Sequence, residues 1–157
     1  VGFDNIDISK KKIILLIKNT EITINALAQG ILTDRIHEIL LNSGLNNHLI
    51  NFGEGKASGI VPIKNKWRLF VNNKYIDITN KGFAVSEPKS TILPNNKSHL
   101  FNANIYDSAI NIPYKTTVIA KNATLADGLS TTYAVSDERT RKTLIKEFSD
   151  AQFIISN

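Results

Sequence analysis

The sequence contains no cysteine and no methionine, and each absence excludes something. Without cysteine the protein has no disulfide, no zinc–thiolate site and no cysteine nucleophile. A complete translated chain would begin with methionine, so we expect this sequence, which starts at Val1, to be a fragment. No apolar run approaches the roughly 18 residues of a membrane span, and no signal peptide opens the chain. We therefore expect no transmembrane segment in it.

Proline and glycine are scarce as well, with 4 and 8 residues, while 42% of the chain is apolar. That balance is typical of a folded protein rather than a disordered one, and 157 residues suit a single domain over residues 1–157. The 19 basic residues exceed the 14 acidic ones by five, but they are scattered, and Lys10–Lys12 is the only basic run. We therefore do not expect nucleic acid as a partner.

Apolar spacing predicts three helices. One spans Ile31–Asn42 and stops at Ser43-Gly44, a second is capped by Thr124, and a third begins near Ser136-Asp137. The third is expected to bury three apolar side chains: Leu144, Ile145 and Phe148.

Strands are predicted between these helices. Lys12–Lys18 is a continuous apolar run typical of a buried strand, and Asn72-Asn73 is typical of a hairpin turn. Further strands are expected at His48–Phe52, Lys115–Lys121 and Gln152–Ser156, with an exposed loop over Glu87–Ser98. The fold class is therefore α+β, with a mixed or antiparallel sheet and about three helices.

Asp127 and Thr131 are the first candidate site. They are four residues apart on the second predicted helix, so both side chains project from one face. A carboxylate and a hydroxyl are hard oxygen ligands that suit Mg²⁺ or Ca²⁺. The alternative is a purely structural pair, in which the Asp favours the helix dipole and the Thr bonds to the backbone.

The segment Ala26–Gly30 is the second candidate, because its small residues allow a close approach of the backbone to a ligand. It precedes the first predicted helix, whose N-terminal amides would suit a phosphate. Ordinary packing between a strand and a helix would explain the same residues.

Two further features are weaker. Gly53–Gly59 is rich in glycine, but Ile50 stands where a phosphate-binding P-loop needs glycine, so only a turn is indicated. His99 follows the predicted loop, where an exposed imidazole could act as a general base. His37 and His48 are interpreted as structural or solvated.

Taken in order, these segments resemble five motifs of the ApbE family, the FAD:protein FMN transferases. Ile22–Gly30 with Asp34-Arg35 is similar to L-D-L-x-x-I-A-K-G-x-x-x-D, Leu49–Gly55 to L-V-N-x-G-G-D, Ala84–Ser86 to A-T-S-G, His99–Ala103 to H-I-I-D-P, and Thr117–Ala120 with Ala126–Thr131 to V-T-V-I-A…A-D-x-x-x-T. The resemblance covers nearly the whole chain but only the C-terminal half or so of a family member.

The resemblance implies an ApbE-like fold and Mg²⁺-dependent transfer of FMN from FAD to a Thr or Ser of an acceptor flavoprotein, with release of AMP. It implies these roles: metal ligation by Asp127, Thr131 and the Ala28 carbonyl, base catalysis by His99, and cofactor binding by Ala26, Ala28, Gln29, Gly30, Gly53, Glu54 and Ser86. It also implies a periplasmic or membrane-anchored lipoprotein.

The chain departs from the family motifs at four places. Gln29 replaces Lys, Glu54-Gly55 replace Gly-Asp, Glu87 replaces Gly, and Asn102-Ala103 replace Asp-Pro. Two alternatives therefore stay open beside the transferase. One is a non-catalytic ApbE-like domain that binds a ligand or a partner, and the other is an FAD pyrophosphatase that yields FMN and AMP.

Overall fold

The computed structural model describes residues 2–63, 66–102, 107–109 and 114–156. Its elements follow in chain order: a short 3₁₀ helix (Phe3–Asn5), β1 (Ile6–Ile8), β2 (Ile13–Leu15), α1 (Asn25–Asn42), β3 (His48–Asn51), β4 (Gly55–Ser58), β5 (Arg68–Val71), β6 (Lys74–Asp77), β7 (Gly82–Ser86), β8 (Phe101–Asn102), β9 (Asp107–Ser108), β10 (Lys115–Ala120), α2 (Ala123–Val135), α3 (Glu138–Glu147) and β11 (Gln152–Ser156). The predicted α+β class is confirmed.

A five-stranded sheet forms the centre, with the strand order β11-β10-β7-β4-β3. Every neighbouring pair in it is antiparallel, and in the register of the middle strands Val118 lies between Ala84 and Phe153. The β-branched residues of β10 suit this position, because a central strand is covered on both faces.

Alternating side chains of β10 supply two cores on opposite faces of the sheet. Val118 and Ala120 pack with Ala126 and Leu129 of α2. Ile119 packs on the other face with Phe83, Ala57 and Ile78, and the β5–β6 hairpin covers that cluster. The sheet is thus held between α2 on one side and a hairpin on the other.

Helix α1 lies against α2, and Gly30 makes this close packing possible. A Cβ atom at Gly30 would come within 2.7 Å of the Ala123 carbonyl oxygen and of the Thr124 Cα. Since both are backbone atoms, a larger residue could be accommodated only by moving one helix away from the other. Gly30 therefore determines how closely the start of α2 approaches α1.

Several local predictions are confirmed. Asn72 and Asn73 both have positive φ, 50° and 59°, as a two-residue type I′ hairpin turn requires. Helix α1 ends at Asn42 with Ser43 as its C-cap, followed by Gly44 with φ 81°. Asp137 caps α3 by accepting a hydrogen bond from the Thr140 N–H. The last strand has the expected bounds, Gln152–Ser156.

Two helix starts were placed wrongly. Helix α1 begins at Asn25 rather than Ile31, so Ala26–Gly30 forms its first turns instead of preceding it. The alanines favour helix although they add nothing to the apolar periodicity. The cap of α2 is Asn122, whose side chain accepts from the Leu125 N–H, and Thr124 lies inside the helix.

Two expectations of burial were also wrong. The Lys12–Lys18 run forms only the short strand β2, which pairs with β1 alone, and Ile13 is 58% exposed. Among the described residues, no further strand pairs with this hairpin. In α3, Leu144 packs against the α2 core, but Ile145 and Phe148 are exposed, because the helix contacts the body of the protein along one narrow side. Within the described residues, no helix combines the length and the apolar character needed to cross a bilayer.

Candidate functional site

Asp127 lies buried where α1 and α2 meet, with only 5% of its surface exposed. Its Oδ2 accepts a hydrogen bond of 3.0 Å from the backbone N–H of Gly30. Burial raises the pKa of the Asp127 carboxyl, and the Gly30 hydrogen bond opposes that shift. The carboxylate is therefore held in a fixed position by a residue 97 positions away in the chain.

Asp34 holds the start of α2 in place. Its carboxylate accepts hydrogen bonds from the Ala123 N–H (3.0 Å), the Thr124 N–H (2.8 Å) and the Thr124 hydroxyl (2.6 Å). These contacts satisfy helix N-terminal amides that have no partner within the helix, and a negative charge there is favoured by the helix dipole. Asp34 thus fixes the helix that carries Asp127 and Thr131.

Three hydroxyl groups connect Asp127 to the central sheet. The Ser86 Oγ of β7 lies 2.8 Å from the Ser130 Oγ and 3.2 Å from the Thr131 Oγ1. The Ser130 hydroxyl lies 3.0 Å from the carbonyl oxygen of Asp127, to which it donates. Two residues named as candidates from sequence, Ser86 and Thr131, are therefore brought together beside Asp127.

Glu54 is the second acidic residue of this region. It is 6% exposed, and its Oε2 is buried without a hydrogen-bond partner. Burial raises the pKa of the Glu54 carboxyl, and the negative charge of Asp127 raises it further. The neighbouring Gly53 faces Gln29 of α1, since a Cβ there would lie 3.9 Å from the Gln29 Oε1.

The other candidates from the Ala26–Gly30 segment now lie on the first turns of α1. Ala28 and Gln29 are exposed, and Ala26 is half-buried. A carbonyl inside an α-helix accepts the N–H four residues later, so the Ala28 carbonyl has one lone pair left for another contact.

His99 is exposed, and its Nδ1 lies 3.2 Å from the Thr91 carbonyl oxygen in the preceding loop. Among the described residues, no hydrogen bond joins it to Asp127, Thr131 or Ser86. Ala103, which follows in the same motif, lies outside the described residues.

Two polar contacts near α1 were not predicted from the sequence. Lys56 is buried in β4, where burial lowers the pKa of its amine, and its Nζ donates to the Lys121 carbonyl at 2.8 Å. His37 Nδ1 lies 2.8 Å from His48 Nε2, so these histidines contact each other. Lys56 and His37 line a cleft of about 360 Å³ together with Asp34, Arg35 and Glu38.

The polar side chains described in this region offer oxygen donors: the carboxylates of Asp127 and Glu54 and the hydroxyls of Ser86, Ser130 and Thr131. This is the donor chemistry of a hard divalent cation such as Mg²⁺. In the part of the chain that the structure describes, no three His, Asp or Glu side chains gather into a metal cluster. Mg²⁺ does not require such a cluster, because hydroxyls, carbonyls and waters complete its octahedron.

Solved structures share this fold. The flavin transferase ApbE from Vibrio cholerae (H257G mutant) matches with a TM-score of 0.76 and 17% identity over 99% of this chain and 57% of its own. The apo flavinyl transferase ApbE from Pseudomonas stutzeri matches with a TM-score of 0.75 and 24% identity, over 99% of this chain and 51% of its own. The ApbE protein from Thermotoga maritima matches with a TM-score of 0.81 and 21% identity, over 98% of this chain and 54% of its own.

This chain therefore spans a little over half the length of these structures. A comparison of the sequence with curated proteins gave no significant match. The model of the ApbE family matches residues 1–155, almost the whole sequence. With that match over the same α+β framework, the chain belongs to the ApbE family.

Proposed function

We propose that this chain is the part of an FAD:protein FMN transferase that carries its cation site. The reaction would be Mg²⁺-dependent transfer of FMN from FAD to a Thr or Ser hydroxyl of an acceptor flavoprotein, with AMP as the leaving group. One observation carries the proposal: a buried Asp127 carboxylate, fixed by the Gly30 N–H on a helix whose Ser130 and Thr131 hydroxyls contact Ser86, in a chain of the ApbE family.

The transfer makes and breaks one phosphorus–oxygen bond. The acceptor oxygen attacks the phosphorus next to the riboflavin moiety, the bond to the AMP phosphate breaks, and the hydroxyl proton leaves to a base. In-line phosphoryl transfer needs positioning and charge neutralisation more than covalent catalysis. We assign the proton to His99, whose exposed imidazole is accessible to an acceptor hydroxyl.

The residues proposed to hold Mg²⁺ are Asp127, Thr131 and the Ala28 carbonyl. When bound, the ion would supply the positive charge that neutralises the pyrophosphate. Gly30 keeps the Asp127 carboxylate in place, and Ser86 orients the Thr131 hydroxyl through their contact of 3.2 Å. Such a fixed donor set would reduce the reorganisation needed when the charged substrate arrives.

FAD is proposed to lie against the start of α1 and the turn around Gly53. The residues proposed to bind it are Ala26, Ala28, Gln29, Gly30, Gly53, Glu54 and Ser86. Gln29 is neutral where the family motif has Lys. We therefore expect positive charge for the phosphates to come mainly from the cation. The family resemblance further suggests a periplasmic or membrane-anchored location, which we propose as the setting for the acceptor flavoprotein.

The first test is FAD binding and cleavage by the protein, by calorimetry and by chromatographic detection of AMP, with and without Mg²⁺. We expect Mg²⁺-enhanced binding and Mg²⁺-dependent AMP release. Asp127→Ala should abolish the cleavage, while Asp150→Ala, which removes an exposed carboxylate in the turn after α3, should leave it unchanged. Unchanged cleavage in Asp127→Ala would exclude Asp127 as a ligand.

A second test separates the alternatives by following flavin fluorescence on an acceptor flavoprotein. His99→Ala should reduce transfer more than FAD binding, and equal losses would indicate a structural histidine. Free FMN and AMP in equal amounts, without acceptor labelling, would indicate a pyrophosphatase. FAD binding without cleavage would indicate a non-catalytic binding domain.

A further inference from the structure

Glu54 is an acidic residue in the region of Asp127 whose burial the structure leaves without a chemical explanation. The residue is buried, with 6% of its surface exposed, and its Oε2 makes no hydrogen bond to any described residue. A buried carboxylate oxygen without a partner is unfavourable, because it has lost its water and gained nothing in return. A stable protein therefore needs a ligand or a proton at this atom.

Among the described residues, no cationic side chain forms an ion pair with the Glu54 carboxylate. The ion pairs among the described residues join Arg35 to Glu38, Lys66 to Asp77, Lys97 to Asp107, Lys115 to Glu87 and Lys142 to Glu138, and none includes Glu54 or Asp127. Lys56, the buried cation nearest in sequence, directs its Nζ to the Lys121 carbonyl. Two buried carboxylates consequently share this region without a compensating positive charge.

The surrounding backbone explains why the acid is at position 54. The family motif has Gly-Asp where this chain has Glu54-Gly55. A Cβ at Gly55 would come within 2.1 Å of the Phe83 ring, so position 55 cannot carry a side chain while Phe83 fills that space. Gly53, on the other side of Glu54, faces Gln29 in the same turn of α1 whose Gly30 N–H binds Asp127. Gly53 thus brings the turn that carries Glu54 against the part of α1 that binds Asp127, and the charge of Asp127 raises the pKa of the Glu54 carboxyl.

We propose that the Glu54 carboxylate is a further ligand of the divalent cation held by Asp127, so that the site offers two carboxylates to the ion. The inference rests on the cation site of the proposed function and goes beyond it in one respect. Affinity for hard cations rises with the number of charged oxygen ligands. A site with two carboxylates therefore binds its cation before FAD arrives, and the nucleotide then meets a metal-loaded protein.

The experiment is a titration of the protein with Mn²⁺, which replaces Mg²⁺ at oxygen sites, followed by the electron paramagnetic resonance signal of the free ion without FAD. Wild-type protein is expected to bind one Mn²⁺, which Mg²⁺ displaces. Glu54→Gln should weaken binding by roughly 10- to 100-fold, the range typical for loss of one metal-site partner. Glu147→Gln, an exposed residue at the end of α3, is the matched control and should bind as wild type does.

Glu54→Asp provides a second variant that keeps the charge and shortens the side chain by one methylene, and we expect intermediate binding. Circular dichroism of each metal-free variant checks that the fold is retained. If Glu54→Gln binds Mn²⁺ as tightly as wild type while Asp127→Asn does not bind it, the role of Glu54 is overturned and the proposed cation site stands. If wild type binds no Mn²⁺ with or without FAD, both are overturned. If the wild type binds Mn²⁺ and Glu54→Gln binds it more weakly, but the wild type does not cleave FAD, the role of Glu54 is supported and the transferase function is overturned.

Discussion

The helices α1 and α2 lie against each other, yet the protein uses them differently. Helix α2 buries six of its residues, whereas α1, although longer, buries only Gly30 and Thr33. Most of its apolar side chains are exposed, with Leu32 at 56%.

This contrast in burial shows that α1 contributes to the site mainly through polar backbone and side-chain contacts. Gly30 donates to Asp127, and Asp34 accepts from the first amides of α2. The apolar core, in contrast, belongs to α2 and the sheet. Stability should therefore depend on apolar packing in α2 and on a few polar contacts in α1.

The largest expected effect compares one leucine from each helix. Leu129 of α2 is 5% exposed and packs in the core, so Leu129→Ala should lower the free energy of unfolding by about 2–5 kcal/mol. Leu32→Ala on the exposed side of α1 should change it by less than about 0.5 kcal/mol. Urea unfolding measures both, and similar losses would show that α1 is packed as α2 is.

The next effect compares two glycines that face the junction of the helices. Gly30→Ala would place a Cβ against the backbone of Ala123 and Thr124, and we expect a loss of about 2 kcal/mol. Gly128→Ala meets only the flexible end of Leu27, so the higher helix propensity of alanine should keep the change within about 1 kcal/mol. Thermal unfolding of the two variants checks this order, and equal stability would contradict the close contact at Gly30.

A smaller effect concerns the acids of α1. Asp34→Ala removes three hydrogen bonds from the start of α2 and should lower stability by about 1–2 kcal/mol. Glu38→Ala in the same helix breaks only an exposed ion pair with Arg35, worth at most about 0.5 kcal/mol. Denaturant midpoints of the two variants, measured side by side, test this order of stability. An Asp34 variant as stable as the Glu38 variant would argue against capping of α2 by Asp34.

The smallest effect lies in the β5–β6 hairpin, away from both helices. The backbone N–H of Thr79, and then Lys66, lower the pKa of Asp77 to about 2. Because the folded pKa is below the ordinary value, this contribution is present above about pH 4 and is lost as the pH falls toward 2. Asp77→Asn should be slightly less stable than wild type at pH 6, and the melting temperatures should converge near pH 2. A difference in melting temperature that grows as the pH falls would contradict the lowered pKa of Asp77.

Much of the fold follows from local sequence, and the exceptions have physical causes. The Asn72-Asn73 turn, the end of α1 and β11 depend on neighbouring residues, so their patterns predicted them correctly. Burial of Lys12–Lys18 was predicted wrongly, because an apolar run does not reveal whether another layer will cover it. The start of α1 was missed because alanine favours helix without contributing to periodicity.

The candidate site divides in the same way. Helical spacing placed Asp127 and Thr131 on one helix, and the structure adds Ser86 to them. Neither Asp34 nor the unpartnered oxygen of Glu54 could have been found from local pattern. Asp34 meets its partners 89 and 90 residues later, and the state of Glu54 depends on what surrounds it after folding.

Most helices and strands, the family motifs and the oxygen-rich chemistry of α2 could be read from the sequence, because they depend on residue type and short spacing. Tertiary structure alone decided that a backbone amide of α1 holds Asp127 and that Glu54 is buried. The reason is that the Asp127 contact depends on the close approach of two helices at Gly30, between residues nearly a hundred positions apart, and the burial of Glu54 depends on what folds around its turn.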